Sequence, residues 1–271
     1  MSAVSERSVP PPVVSERPVP PVIFIGHGAP TTALDVVKGV SFRVLGRTMP
    51  RPTAILAVSA HWEAAPPAIG TSASLPLIYD FYGFPEALYQ VQYPAPGAPE
   101  LARRVRELLA PGTREAPQRG LDHGVWTPLV HMFPAADIPV LQVSLPTGDG
   151  PRAVYELGRK LAPLRAEGVL LYGSGNITHN LRRVAPDGSA PEGWASDYDA
   201  WVVHALAHKD VDALIDAPQK GPAYHMNHPS ADHWLPFVFA LGAGADLLAE
   251  VAYPVTGFEF GNLSRRAVTF G

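Results

Sequence analysis

The chain has 271 residues, 46% of them hydrophobic and 17% charged, and carries a formal charge of −4. That is enough apolar material for one large domain with its own core, and with no clustered stripe of Lys and Arg a nucleic-acid partner is not expected. Cysteine is absent, which excludes disulfides, thiolate metal sites and cysteine nucleophiles, so any metal must be held by His, Asp or Glu.

Residues 1–21, MSAVSERSVPPPVVSERPVPP, contain an imperfect echo, VSER-SVPP followed by VSER-PVPP. Such Pro-rich sequence favours extended polyproline II and cannot bury a core. The expectation is a disordered arm over 1–21, followed by one catalytic domain over 22–271. The early basic region and unbroken apolar segment of a signal peptide are missing. No run approaches the roughly 18 apolar residues of a membrane span. A cytoplasmic, soluble protein without a membrane partner is expected.

Beyond the arm, short apolar runs alternate with helix-compatible segments. Val22–Ile25, Ala54–Ser59, Val140–Leu145 and Val169–Tyr172 are short runs dominated by apolar residues, the pattern of strands buried on both faces. Glu100–Leu109 and Val154–Arg165 repeat leucine at helical spacing beside Arg, Lys and Glu, and further helices are expected over Tyr198–His208 and Asp232–Leu241. This alternation predicts an α/β fold, a single domain whose mainly parallel central sheet is flanked by helices.

In such a sheet, ligands bind beyond the C-terminal ends of the strands. VIFIGHG ends at His27, AILAVSAHW ends at His61, and VLLYGSGNITHNL runs through a turn to His179. Three strands that each deliver an imidazole to one edge are hard to explain by packing alone. In HPSADHWLPFVFALGAG, Ser230 is placed to cap a helix whose first turn holds His233, while His225 and His228 read as loop surface. GLDHGVW sets His123 beside a glycine at the mouth of a buried element. His131 reads as packed or partly exposed, and His204 with His208 as a surface pair.

Other chemistries lack their motifs. GHGAP has the spacing of neither the phosphate loop nor the dinucleotide fingerprint. No G-x-S-x-G elbow is present, so Ser174 in GSGN is not read as a nucleophile, and there is no H-E-x-x-H helix. What remains is a metal held mostly by neutral imidazoles, which suit Zn, Fe, Cu or Ni.

In series, GHGAP, SAHW, YDFYGFPEALYQVQYPAPG, GLDHG, GSGNITHNL and HPSADHWLPFVFALGA resemble the class III (LigB-type) extradiol ring-cleavage dioxygenases, and within them the 4,5-DOPA extradiol branch. The resemblance runs from about Val22 to the C-terminal GFEFGNLSRRAVTFG. It implies a catechol substrate, O2 and one divalent metal, Fe(II) for activity, with Zn(II) able to occupy the site in purified protein. It also implies metal binding by His27, His61 and His233, with His179 assigned to the same site and acid–base work to His123. Asp232 departs from the family pattern, which carries Glu before the last histidine. With DOPA as substrate, 4,5-cleavage would give a seco-DOPA or betalamic-acid type product. Trp62, Tyr79, Phe81, Tyr82 and Trp126 are candidates to wall the ring pocket, and a monomer or small homo-oligomer is expected. Two rival readings are a zinc hydrolase using metal-bound hydroxide and a catalytically silent metal-binding protein on the same scaffold.

Overall fold

Four apolar runs become the parallel strands β1 (Val22–Gly26), β2 (Ala54–Ser59), β3 (Val140–Gln142) and β4 (Val169–Gly175), and every residue in them is buried. The computed structural model describes residues 18–109 and 111–271. β2 pairs in parallel with β3 and β4, and β4 with β1, in a register that sets Ser174 beside both Ile25 and Ser59. Two strands that the apolar-run reading did not single out, β5 (Val251–Val255) and β6 (Ala267–Phe270), extend the sheet antiparallel, giving the order β3-β2-β4-β1-β6-β5. β5 alternates in exposure and contains Pro254, both features of an edge strand.

Helices cover both faces: α1 (Gly39–Thr48), α2 (Pro99–Leu109), α3 (His123–Met132), α4 (Gly150–Leu161), α5 (Gly193–Ala207) and α6 (Leu235–Ala243). Successive strand residues point to opposite faces, so each strand feeds two cores. Phe24, Leu56 and Leu171 pack with α2, α4, α5 and α6, whereas Ile25, Ile55 and Tyr172 pack with α1 and α3. α6 is apolar all round and buried along its whole length, as expected of a helix enclosed on every side.

Several boundaries differ from expectation; the helix expected over Tyr198–His208 runs from Gly193 to Ala207. The run Val140–Leu145 leaves the sheet after Gln142, and Leu145–Pro146 pairs instead with Glu63–Ala64. The helix expected over Val154–Arg165 starts earlier and ends at Leu161, continuing as a 3-10 segment, Ala162–Glu167; Pro163 has no N–H with which to extend the α-helical ladder. The helix expected from Asp232 begins at Leu235. Ser230 does not cap it; its hydroxyl donates to Asp232 Oδ1 at 2.5 Å, leaving His233 in the turn ahead.

Of the Pro-rich arm, residues 1–17 lie outside the described residues. Pro20 and Pro21 are buried, and the Pro20 carbonyl accepts from Arg165 Nε at 2.7 Å. No helix among the described residues is long and apolar enough to cross a membrane.

Candidate metal centre

Three neighbouring strands end at the same edge, and the backbone there fixes where each imidazole goes. His27 follows β1 directly, and its N–H donates to Gly175 O at 3.0 Å, which prolongs the β1–β4 pairing by one step. The chain then reverses through Gly28, whose φ of +68° lies in the left-handed region that a side chain disfavours. His61 sits just past β2, its N–H bonded to Ser59 Oγ at 3.2 Å. The turn carrying His233 lies across the end of β4, where the His233 carbonyl accepts from Asn176 N–H at 3.0 Å.

The three side chains converge. His27 Nε2 and His61 Nε2 are 3.3 Å apart, and the His233 ring centroid is 5.3 Å from that of His27 and 5.1 Å from that of His61. One ring nitrogen from each lies within 4.8 Å of the other two. His233 Nδ1 is 2.9 Å from Asp232 Oδ2; an ionised carboxylate can only accept, so Nδ1 carries the proton and Nε2 keeps its lone pair. Burial pushes the His27 and His233 pKa values well below the ordinary 6.5, and repulsion from neighbouring imidazoles adds to this. Burial, then His123, also lowers that of His61. Near neutral pH these are neutral bases, the form that binds a metal. Three such nitrogens on a largely closed edge fit one divalent ion with room for further ligands.

His123 opens α3 beside this group, its ring centroid 4.0 Å from that of His61. Asp80 Oδ1 accepts from His123 Nδ1 at 2.9 Å and from its backbone N–H at 3.1 Å, while Oδ2 lies 3.5 Å from His61 Nδ1. Burial alone would raise the Asp80 carboxyl; the bonds from His123 outweigh it and hold the pKa at about 2. His61, Asp80 and His123 form a second set of mutually close ligand atoms, but there Asp80 Oδ1 already receives two hydrogen bonds. Beneath them, buried Asp122 accepts from Ser59 Oγ at 2.7 Å, from Arg119 at 2.6 Å and from Gln142 Nε2. Arg119 also reaches the His61 carbonyl at 3.3 Å and stacks over Trp62, bracing the turn that presents His61.

Residues 24–261 match the family model described as the catalytic LigB subunit of aromatic ring-opening dioxygenase. The chain belongs to this family. It is 41% identical over 257 residues to a protein of Escherichia coli K12 named 4,5-DOPA dioxygenase extradiol, covering 92% of this chain and 94% of that one. A protein of Beta vulgaris with the same name is 41% identical over 82% of this chain and 86% of its own length. The crystal structure of an uncharacterized protein from Escherichia coli K12 superposes with a TM-score of 0.77 at 35% identity, covering 93% of this chain and all of the other. The chain is thus a LigB-family extradiol dioxygenase.

Within this LigB-family site, His27, His61, His233 and His123 come together as the sequence suggested. His179 lies outside the mutually close set; its ring stacks on His233 at 3.5 Å and 7°, and burial lowers its pKa to about 4. His225, His204 and His208 are exposed, and His131 is packed, with Nε2 bonded to Thr32 O. His228 is not loop surface: it is buried, with Nε2 on the Ile177 carbonyl at 2.8 Å and the rings of Tyr198, Tyr224 and Trp234 around it. Among the aromatics, Phe81 meets His123 edge-on at 5.7 Å. Trp126 belongs to the core behind the site, and Tyr82, 92% exposed, points into solvent. Asp80 and Ser174 were the residues sequence reasoning missed as site partners. Asp80 stands inside the YDFYGFP motif, but nothing local ties it to a histidine 43 positions away.

Proposed function

We propose that the chain opens the aromatic ring of a catechol beside its diol, using O2 and one divalent metal held by His27, His61 and His233, with Fe(II) as the working ion. The observation that carries this reading is the convergence of three neutral imidazoles on one point, with the Asp80–His123 pair directly beside it. The substrate we favour is DOPA, cleaved between positions 4 and 5; relatives covering most of the chain carry that activity in their names.

When bound, the metal supplies the Lewis acidity and the one-electron chemistry that let a catechol and O2 react; zinc could supply only the former. The protein's part is binding and proton handling. His123, with Nδ1–H engaged by Asp80, presents Nε2 as the base for a phenolic proton, and Asp80 stabilises the imidazolium that results. The same imidazolium can return that proton as the ring opens. Phe81 offers an apolar edge against which a flat ring can lie beside His123. His179, stacked on His233 outside the three-nitrogen set, would be a neighbour that handles protons.

The decisive experiment strips the metal, reloads anaerobically with Fe(II), adds L-DOPA or a panel of catechols, and admits oxygen. The expected result is stoichiometric O2 uptake with a yellow ring-cleavage product, and none with Zn(II). Lack of uptake across the whole panel would sink the reading.

A further inference from the structure

Ser174 lies in β4 between Gly173 and Gly175. A side chain at either glycine would run into backbone, Pro236 O at 2.3 Å and His233 O at 2.2 Å. Of these three strand residues only 174 therefore presents a side chain, and it does so on the face covered by α3. The hydroxyl is fully buried and has two neighbours. One is the Gly124 carbonyl; the other is His27 Nδ1 at 3.1 Å.

A serine hydroxyl has a single proton. The Gly124 oxygen has lone pairs only, and two oxygens in such close contact with no proton between them would repel. The serine proton must therefore lie on the line to Gly124. Toward His27 the hydroxyl can then only accept, which places the imidazole N–H on Nδ1. A neutral imidazole has one N–H, so Nε2 keeps the lone pair, and Nε2 is the atom that faces His61 at 3.3 Å. The Tyr172 hydroxyl donates to the same Gly124 carbonyl at 3.2 Å, a carbonyl oxygen having two lone pairs.

We propose that Ser174 is a positioning residue of the metal centre: by giving its only proton to Gly124 it holds His27 in the Nδ1–H form, with Nε2 directed at the ion. Because Gly124 directly follows His123, the same hydroxyl also ties the first turn of α3 to the end of β1. Orienting partners of this kind typically contribute 10–100-fold to metal affinity.

This inference rests on reading His27 as a metal ligand, and the test separates the two. Zn(II) and Co(II) dissociation constants are measured by chelator competition for the wild type and for Ser174→Ala, Ser174→Thr and Tyr172→Phe, with circular dichroism as the control for folding. Ser174→Ala is expected to bind about 10–100-fold more weakly, with Ser174→Thr recovering part of the loss. Tyr172→Phe, which touches Gly124 but not His27, is expected to bind as the wild type does. Unchanged affinity in a folded Ser174→Ala overturns this inference alone; a wild type that binds no metal overturns the reading of His27 as well. Should Ser174→Ala fail to fold, 15N-histidine NMR of the metal-free wild type decides, an Nδ1–H tautomer at His27 supporting the proposal and an Nε2–H tautomer overturning it.

Discussion

Asp80 and His123 are joined twice through one oxygen, Oδ1, which accepts the ring Nδ1–H at 2.9 Å and the backbone N–H at 3.1 Å. The carboxylate thereby sets both the rotation of the ring and its tautomer, and leaves Nε2 free toward the imidazole cluster. A base held in this way contributes about 10²–10⁴-fold to a proton-transfer step. His123→Ala is expected to lower kcat by that amount while keeping its metal. Asp80→Asn still offers an oxygen to both N–H groups but lacks the charge that stabilises the imidazolium, so kcat should fall by about tenfold or more with KM little changed. Steady-state O2 uptake with metal content measured on the same samples checks both; loss of metal from His123→Ala would remove it from the acid–base role.

Metal content should distinguish the histidines from one another. His27, His61 and His233 each offer a nitrogen to one point, whereas His179 stacks on His233 outside that set. Replacing any of the first three by Ala is expected to empty the site, because two imidazoles hold a divalent ion poorly. His179→Ala should retain the ion and lose turnover. Elemental analysis of the four purified variants decides the matter, and a metal-free His179→Ala would move that residue into the ligand set.

The parallel half of the fold was legible because β1, β2 and β4 are buried on both faces and so read as unbroken apolar runs. The histidines at their ends stood out for the same reason. The antiparallel strands were harder: β5 alternates in exposure and carries Pro254, and its pairing with β6 is a long-range contact that no local window contains. His228 misled because its segment, HMNHPS, is polar, and only the fold shows its ring turned inward onto Ile177 O. Asp80 and Ser174 were invisible for a different reason. Each acts on a histidine far away in sequence, His123 and His27, through hydrogen bonds whose partners are set by strand order and helix placement.

Acid should destabilise the metal-free protein in a defined window. Burial holds His228 at about 3 and His179 at about 4, against an ordinary value of 6.5. Both are neutral in the folded chain and take up a proton in the unfolded chain below pH 6.5. The unfolded state therefore binds more protons there, and stability falls as the pH drops from 6.5 toward 4 and then 3, while above 6.5 these groups add no slope. Each such histidine can contribute up to about 1.4 kcal/mol per pH unit. Urea denaturation at pH 7 and pH 5 should show a clear loss of stability, larger in the metal-free form than in the metal-loaded form, where binding opposes protonation. A flat profile between those values would contradict the buried, neutral state of these rings.

The turn after His27 is held from the C-terminal side of the chain. Glu259 is buried and lies 3.3 Å from Lys38 Nζ and 3.4 Å from Arg265 Nε, while its Oε2 accepts from Ala29 N–H at 3.3 Å. Removing one partner of a buried ion pair costs about 3–5 kcal/mol. Here Lys38 is partly exposed and keeps Asp187 at 2.8 Å, so Glu259→Ala is expected at or below the lower end of that range. Gly28→Ala tests the same turn from the other side. Its φ of +68° costs an L-residue about 1–2 kcal/mol, and the new Cβ would lie 2.9 Å from Glu259 Oε2. Both variants should melt at lower temperature and bind metal more weakly than the wild type, because the loosened turn no longer fixes His27. A variant that lost stability but kept wild-type metal affinity would show that the β1–β4 pairing and Ser174 alone suffice to place the ring.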